Sequence, residues 1–179
     1  MHYSAITKFW FQEIEPQKWF EKDEKFDSFL SRRFSVQVDL ALKNKLDHWK
    51  EDLEGYVSLI IILDQFTRNI YRGTPNSFIG DFKALDLCLE AIRQGFLRCE
   101  NIDWRHFILM PMMHSENLAI QEMSLPLFKK YTNDRTFEFA KKHYNIIKKF
   151  DRFPHRNCIL GRKSSKEEIL FLREPGSSF

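Results

Sequence analysis

Between Asp52 and Arg72 the apolar residues Leu59, Ile62, Leu63, Phe66 and Ile70 recur at steps of three and four. At ~100° per residue they fall on one stripe of a helix. Gly73 ends that helix and Pro75 lies just beyond it. The opposite stripe (Ile61, Gln65, Arg68 and Arg72, flanked by Asp64 and Asn69) changes character halfway. Ile60 and Ile61 are apolar on that side, so the helix begins buried all round and its polar half enters a partly enclosed space.

Composition extends this reading to the whole chain. Eighteen Leu and 15 Ile stand beside only 3 Val and 5 Thr, and Gly and Pro number six each. A β-rich fold needs more turn residues and favours Val and Thr, so the chain is expected to be all-α. An apolar fraction of 43% with 15% aromatics excludes a disordered chain, and 179 residues suit one compact domain.

Helices are expected over residues 4–12, 23–33, 35–46, 52–72, 75–95, 104–113, 115–131 and 134–150, with Pro111 interrupting and Pro126 kinking the later pair. Residues 151–164 form a loop. A closing helix follows, capped by Ser164 or Ser165 with Glu167 or Glu168 three residues on. Short connections between so many helices imply stacked antiparallel helical hairpins in a compact bundle. Residues 1–174 make one domain and 175–179 a frayed tail.

Cys88, Cys99 and Cys158 contain no CxxC pair, which argues against a disulfide framework and a cysteine zinc site. The N-terminus lacks the pattern of a signal peptide, and the longest apolar run falls far short of the ~20 residues of a membrane span. A cytoplasmic protein without membrane attachment is expected. The last third (129–179) carries 13 basic and 6 acidic residues. No recognition motif accompanies that surplus, so nucleic acid is not the expected partner.

Three polar segments are candidates for chemistry. The first is Asp64, Gln65, Arg68, Asn69 and Arg72 on the central helix, where Asp64 and Arg68 are spaced to pair and Arg68 and Arg72 either present forks to an anion or join an internal hydrogen-bond network that locks helix packing. The second is His114, Glu116 and Gln121, with His114, Asn117 and Gln121 expected on one helical face. Ser115 adjoins His114 in a way that disfavours a serine nucleophile. No GxSxG or HExxH pattern is present, so no metal and no other cofactor is expected. The third is Arg152, His155, Arg156, Asn157 and Arg162, ahead of a serine-capped helix start that suits an anion.

LDQFTRNIYRGTP, MPMMHSENLAIQE and RFPHRNCILGRKSSKEE, together with the opening FWFQEIEPQKWFEKDEKFDSFLSRRF, resemble an uncharacterised bacterial family, domain of unknown function 924. The family pattern has Pro where Thr67 stands and Gly where Asp151 stands. The resemblance implies a tetratricopeptide-like right-handed superhelix and no established activity.

The function expected from the residues is a binding module in which the three segments converge on a small anion. Arg68, Arg72, Arg156 and Arg162 would grip it, with Gln65, Asn69 and Asn157 orienting it. His114 and His155 would exchange protons, and Phe66, Trp104 and Phe153 would form the wall. The alternatives are a hydrolase or lyase for a phosphate or carboxylate compound, with His114 and Glu116 as catalytic candidates, and a tetratricopeptide-like scaffold that accepts a peptide.

Overall fold

Side-chain caps punctuate the chain into helices. In a computed structural model describing residues 1–178, the described residues form α-helices with shorter π and 3₁₀ turns and no strand. The α-helical segments are α1 (Ser4–Lys8), α2 (Glu24–Leu42), α3 (Leu53–Ile60), α4 (Thr67–Ile70), α5 (Asp81–Arg93), α6 (Ile102–Met113), α7 (Leu118–Tyr131), α8 (Asp134–Phe150) and α9 (Lys166–Phe171). A π-helical stretch, Ile61–Phe66, joins α3 to α4 in one rod, and another, Phe9–Glu13, continues α1, so the segments make eight helices. Asp23, Asp52, Asn101, Asn117, Asn133 and Ser165 each accept hydrogen bonds from first-turn backbone N–H groups, which fixes where α2, α3, α6, α7, α8 and α9 begin. Neighbouring helices pack antiparallel, as the short connections imply.

The rod 53–70 and α6 lie at the centre. Every residue from Gly55 to Thr67, and every residue from Phe107 to Met113, is buried. α2 packs along the π stretch and α4, while α1 and α5 pack on α3. α6 lies against α3, α5 and α7, and α8 covers α7. Phe34 lies 4.9 Å from both Phe9 and Phe66 with the rings tilted, and Trp10 lies 5.6 Å from Phe66, so the rod's apolar stripe docks into aromatic rings from α2 and from the π stretch that continues α1. Two glycines permit close approach. A Cβ on Gly55 would lie 1.7 Å from the Trp49 carbonyl oxygen, and one on Gly80 would lie 2.0 Å from that of Leu63. Gly80 thus lets the start of α5 press against the π stretch.

Several features differ from the sequence expectation. The helices expected at 23–33 and 35–46 are one helix, α2, because Leu30, Phe34, Val38 and Ala41 carry a single buried stripe across the junction. The helix expected from Pro75 starts at Asp81, since Pro75–Phe78 is a 3₁₀ turn and Gly80 follows it. Pro111 lies inside α6 and Pro126 inside α7 without ending either helix. α7 begins at Leu118 rather than Ser115, because Asn117 caps it. His114 terminates α6 and Asn117 precedes α7, so His114, Asn117 and Gln121 do not share a helical face.

The expected tail at 175–179 extends past the described residues. Within them, Ser177 is buried and its hydroxyl donates to the Leu172 carbonyl. No helix among the described residues is long and apolar enough to cross a membrane.

Candidate functional site

The π stretch widens the central rod where its polar residues begin. Three consecutive side chains then donate to the carbonyl four residues earlier: Thr67 Oγ1 to Leu63 (2.7 Å), Arg68 Nη1 to Asp64 (2.6 Å) and Asn69 Nδ2 to Gln65 (3.0 Å). The Thr67 hydroxyl thereby occupies the Leu63 carbonyl oxygen. These bonds anchor the polar half of the rod from within.

Asp64 is 1% exposed and is the hub. Its Oδ1 lies 2.8 Å from His114 Nδ1 and 3.0 Å from Arg68 Nη1, and Oδ2 accepts from Gln65 Nε2. Arg68 Nη1 also meets Asp81 Oδ1 at 2.9 Å. Asp81, the first residue of α5, meets Arg156 Nη1 through Oδ2 at 3.2 Å. Arg156 Nη2 donates to the His114 carbonyl at 2.9 Å, which closes the ring of contacts. The Arg156 guanidinium is held between two rings, 4.5 Å from the centroid of Phe78 and 4.7 Å from that of Phe153.

Burial pushes the Asp64 carboxyl up, but Arg68 and His114 outweigh it and hold the group below the usual carboxylate range. Burial and the Arg68 charge lower the His114 imidazole against the opposing pull of Asp64. The pair is therefore a carboxylate and a neutral imidazole. Nδ1–H donates to Asp64, and Nε2 keeps its lone pair. Burial first, and then the neighbouring Arg68, lower Arg156 to about 10. Two buried donors in this cluster have no hydrogen-bond partner, Arg68 Nη2 and Arg156 Nε.

A second knot ties the 152–162 loop to the α6–α7 link. Glu116 takes Arg162 in a two-pronged pair (2.7 and 2.9 Å) and accepts from the Phe153 N–H at 2.7 Å. Asn157 Oδ1 accepts from Arg162 Nε at 3.0 Å. Arg152 pairs with Glu168 at 2.7 and 2.8 Å, and Glu168 forms a capping box with Ser165. Burial raises the Glu116 carboxyl, but the bonds from Arg162 and Phe153 prevail and lower it. Gln121 Nε2 holds the link by donating to the Met113 and Ser115 carbonyls.

Among the candidate residues, Asp64, Gln65, Arg68, His114 and Arg156 meet in the first knot, and Glu116, Arg152, Asn157 and Arg162 in the second. His155 stands beside them, its ring 5.6 Å from Phe153 and its imidazole lowered to about 4, chiefly by burial. Arg72 turns away to Asp27 of α2 and to Asn69 Oδ1. Of the three proposed wall residues, Phe153 touches an arginine, whereas Phe66 is taken up by the aromatic core and Trp104 contacts Phe11.

As partners of the arginines, sequence reasoning missed Asp81, Asp27 and Phe78, and it named Glu168 only as a possible cap. Asp27 and Glu168 answer arginines far away in sequence, and no local pattern announces such pairs. Asp81 had a usable signal in Gly80–Asp81 at a helix start, where an acidic side chain belongs. Among the described residues no group of three His, Cys, Asp or Glu side chains is arranged to hold a metal ion.

The DUF924 pattern, described as a bacterial protein of unknown function, matches residues 6–176. A solved structure of a protein of unknown function from Agrobacterium tumefaciens is similar, with 36% identity, a TM-score of 0.90 and 96% of each chain covered. No curated protein matches the chain. With the family pattern spanning nearly the whole sequence, the chain belongs to the DUF924 family of bacterial proteins of unknown function.

Proposed function

We propose that the protein is a binding module for a small oxyanion, a phosphate or a carboxylate, received by Arg68 and Arg156 beside His114. The supporting observation is the pair of buried, unpartnered guanidinium donors, Arg68 Nη2 and Arg156 Nε, beside the Asp81 carboxylate, whose Oδ1 also lacks a hydrogen bond and meets Arg68 only as an ion pair. An unmet buried N–H is unfavourable, and an oxyanion answers two of them with its own acceptors. Asp81 already bridges both arginines, so a ligand competes with or rotates that carboxylate. The Glu116–Arg162 knot keeps the loop bearing Arg156 in register.

The test is the thermal midpoint of the protein against inorganic phosphate and acetate, with Arg156→Lys as control. Lysine keeps the charge and removes the fork and the Nε donor. A saturable rise for the wild type that is lost in Arg156→Lys is expected, because a ligand bound only by the folded state stabilises it. Flat curves for both anions contradict the reading.

The Asp64–His114 hydrogen bond favours an enzyme as the second reading. A carboxylate that fixes the tautomer leaves Nε2 as a general base for a hydrolase or lyase. Glu116 is a weaker candidate, since three of its acceptor positions are filled. Turnover of phosphate or carboxylate esters that survives His114→Gln would remove this reading. No contact among the described residues favours a peptide groove of the tetratricopeptide-like kind.

A further inference from the structure

Apolar residues flank Asp81 along the chain, which bears on what the anion is attached to. Phe78, Ile79 and Phe82 bracket Asp81, the residue that touches both arginines. Phe82 is 85% exposed, in the first turn of α5, and Ile79 is 52% exposed. Single exposed apolar residues are ordinary on a protein surface. Here, however, two occur within four positions, Ile79 and Phe82, and the half-buried Phe78 beside them already lies against the Arg156 guanidinium. An inorganic anion gains nothing from Ile79 and Phe82.

Resting on the oxyanion reading above, we propose that the ligand is an aryl-bearing anion, its charged head at Arg68 and Arg156 and its ring on Phe78, Ile79 and Phe82. The arrangement suits an aromatic tail because a planar ring can continue the stack that Phe78 begins over Arg156, and can cover Phe82 without entering the core. α5 is thirteen residues long and its N-cap, Gly80, offers no side chain to its first N–H groups. The positive end of the helix therefore adds to the attraction for the head group. The buried, unpartnered Arg156 Nε belongs to a guanidinium that reaches Asp81 in that first turn.

Calorimetric titration with methylphosphonate and phenylphosphonate tests this, since the two share a head group and differ in the tail. Phenylphosphonate is expected to bind about tenfold more tightly, the effect of removing one face of a ring from water. In Phe82→Ser that advantage falls to about twofold or less, while methylphosphonate binding stays as in the wild type. Phe82 makes so little contact with the rest of the chain that the variant folds. Equal binding of the two probes, or a preference that survives Phe82→Ser and Ile79→Ser together, overturns the aryl proposal and leaves the oxyanion reading standing. Failure of both probes to bind overturns the two together.

Discussion

At the scale of single residues, the polar cluster is a balance of charges that no one side chain completes. Asp64 and Asp81 face Arg68 and Arg156, with a neutral His114 between them. Asp64→Asn leaves Arg68 with Asp81 alone in a buried setting, and is expected to lower the unfolding free energy by about 3 kcal/mol in urea titration. Much of this was legible. The i, i+4 spacing of Asp64 and Arg68 named one pair, and the clustering of Arg156 and Arg162 named the loop. What stayed hidden were the acceptors from afar, since pairing between Asp81 and Arg156 depends on how α5 docks, not on any local spacing.

At the scale of elements, the docking of α5 rests on Gly80. Gly80→Ala places a methyl group on the Leu63 carbonyl and must push α5 outward. A loss of about 3 kcal/mol or more is expected in the same measurement, together with weaker anion binding as Asp81 leaves the arginines. Asp151 offers the opposite change. It ends α8 at φ 56°, in the left-handed region that favours Gly. Asp151→Gly should therefore raise stability by about 0.5–1 kcal/mol in thermal unfolding. Helix ends with Asp, Asn or Ser caps could be found from sequence, as the start of the closing helix at Ser164 or Ser165 with Glu167 or Glu168 was, and the structure selects Ser165 with Glu168. The break expected within α2 could not be judged, because residues near Ser35 are permissive and only the continuous stripe from Leu30 to Ala41 decides. The π stretch left no trace in the apolar period.

At the scale of the whole molecule, the fold encloses histidines that stay neutral. Burial lowers His143 to about 3 and His155 to about 4, against an ordinary value of 6.5. The unfolded chain then binds more protons than the folded one, so stability is level above pH 6.5 and falls as the pH drops from 6.5 toward about 4 and 3. Each such histidine contributes a slope of up to about 1.4 kcal/mol per pH unit, and His143→Leu should reduce the slope by one proton. An unfolding midpoint that is constant between pH 6.5 and 4 contradicts the assignment.

On the proposed function, Arg68 and Arg156 carry donors that wait for an oxyanion. The most direct test is the arginine Nε–H region of a proton–nitrogen correlation spectrum during titration with inorganic phosphate. The account predicts that the Arg156 Nε–H resonance moves saturably while that of Arg152, held by Glu168, stays fixed. If Arg156 Nε–H does not respond at phosphate concentrations that saturate any binding, the cluster is a structural lock between helices and the claim fails.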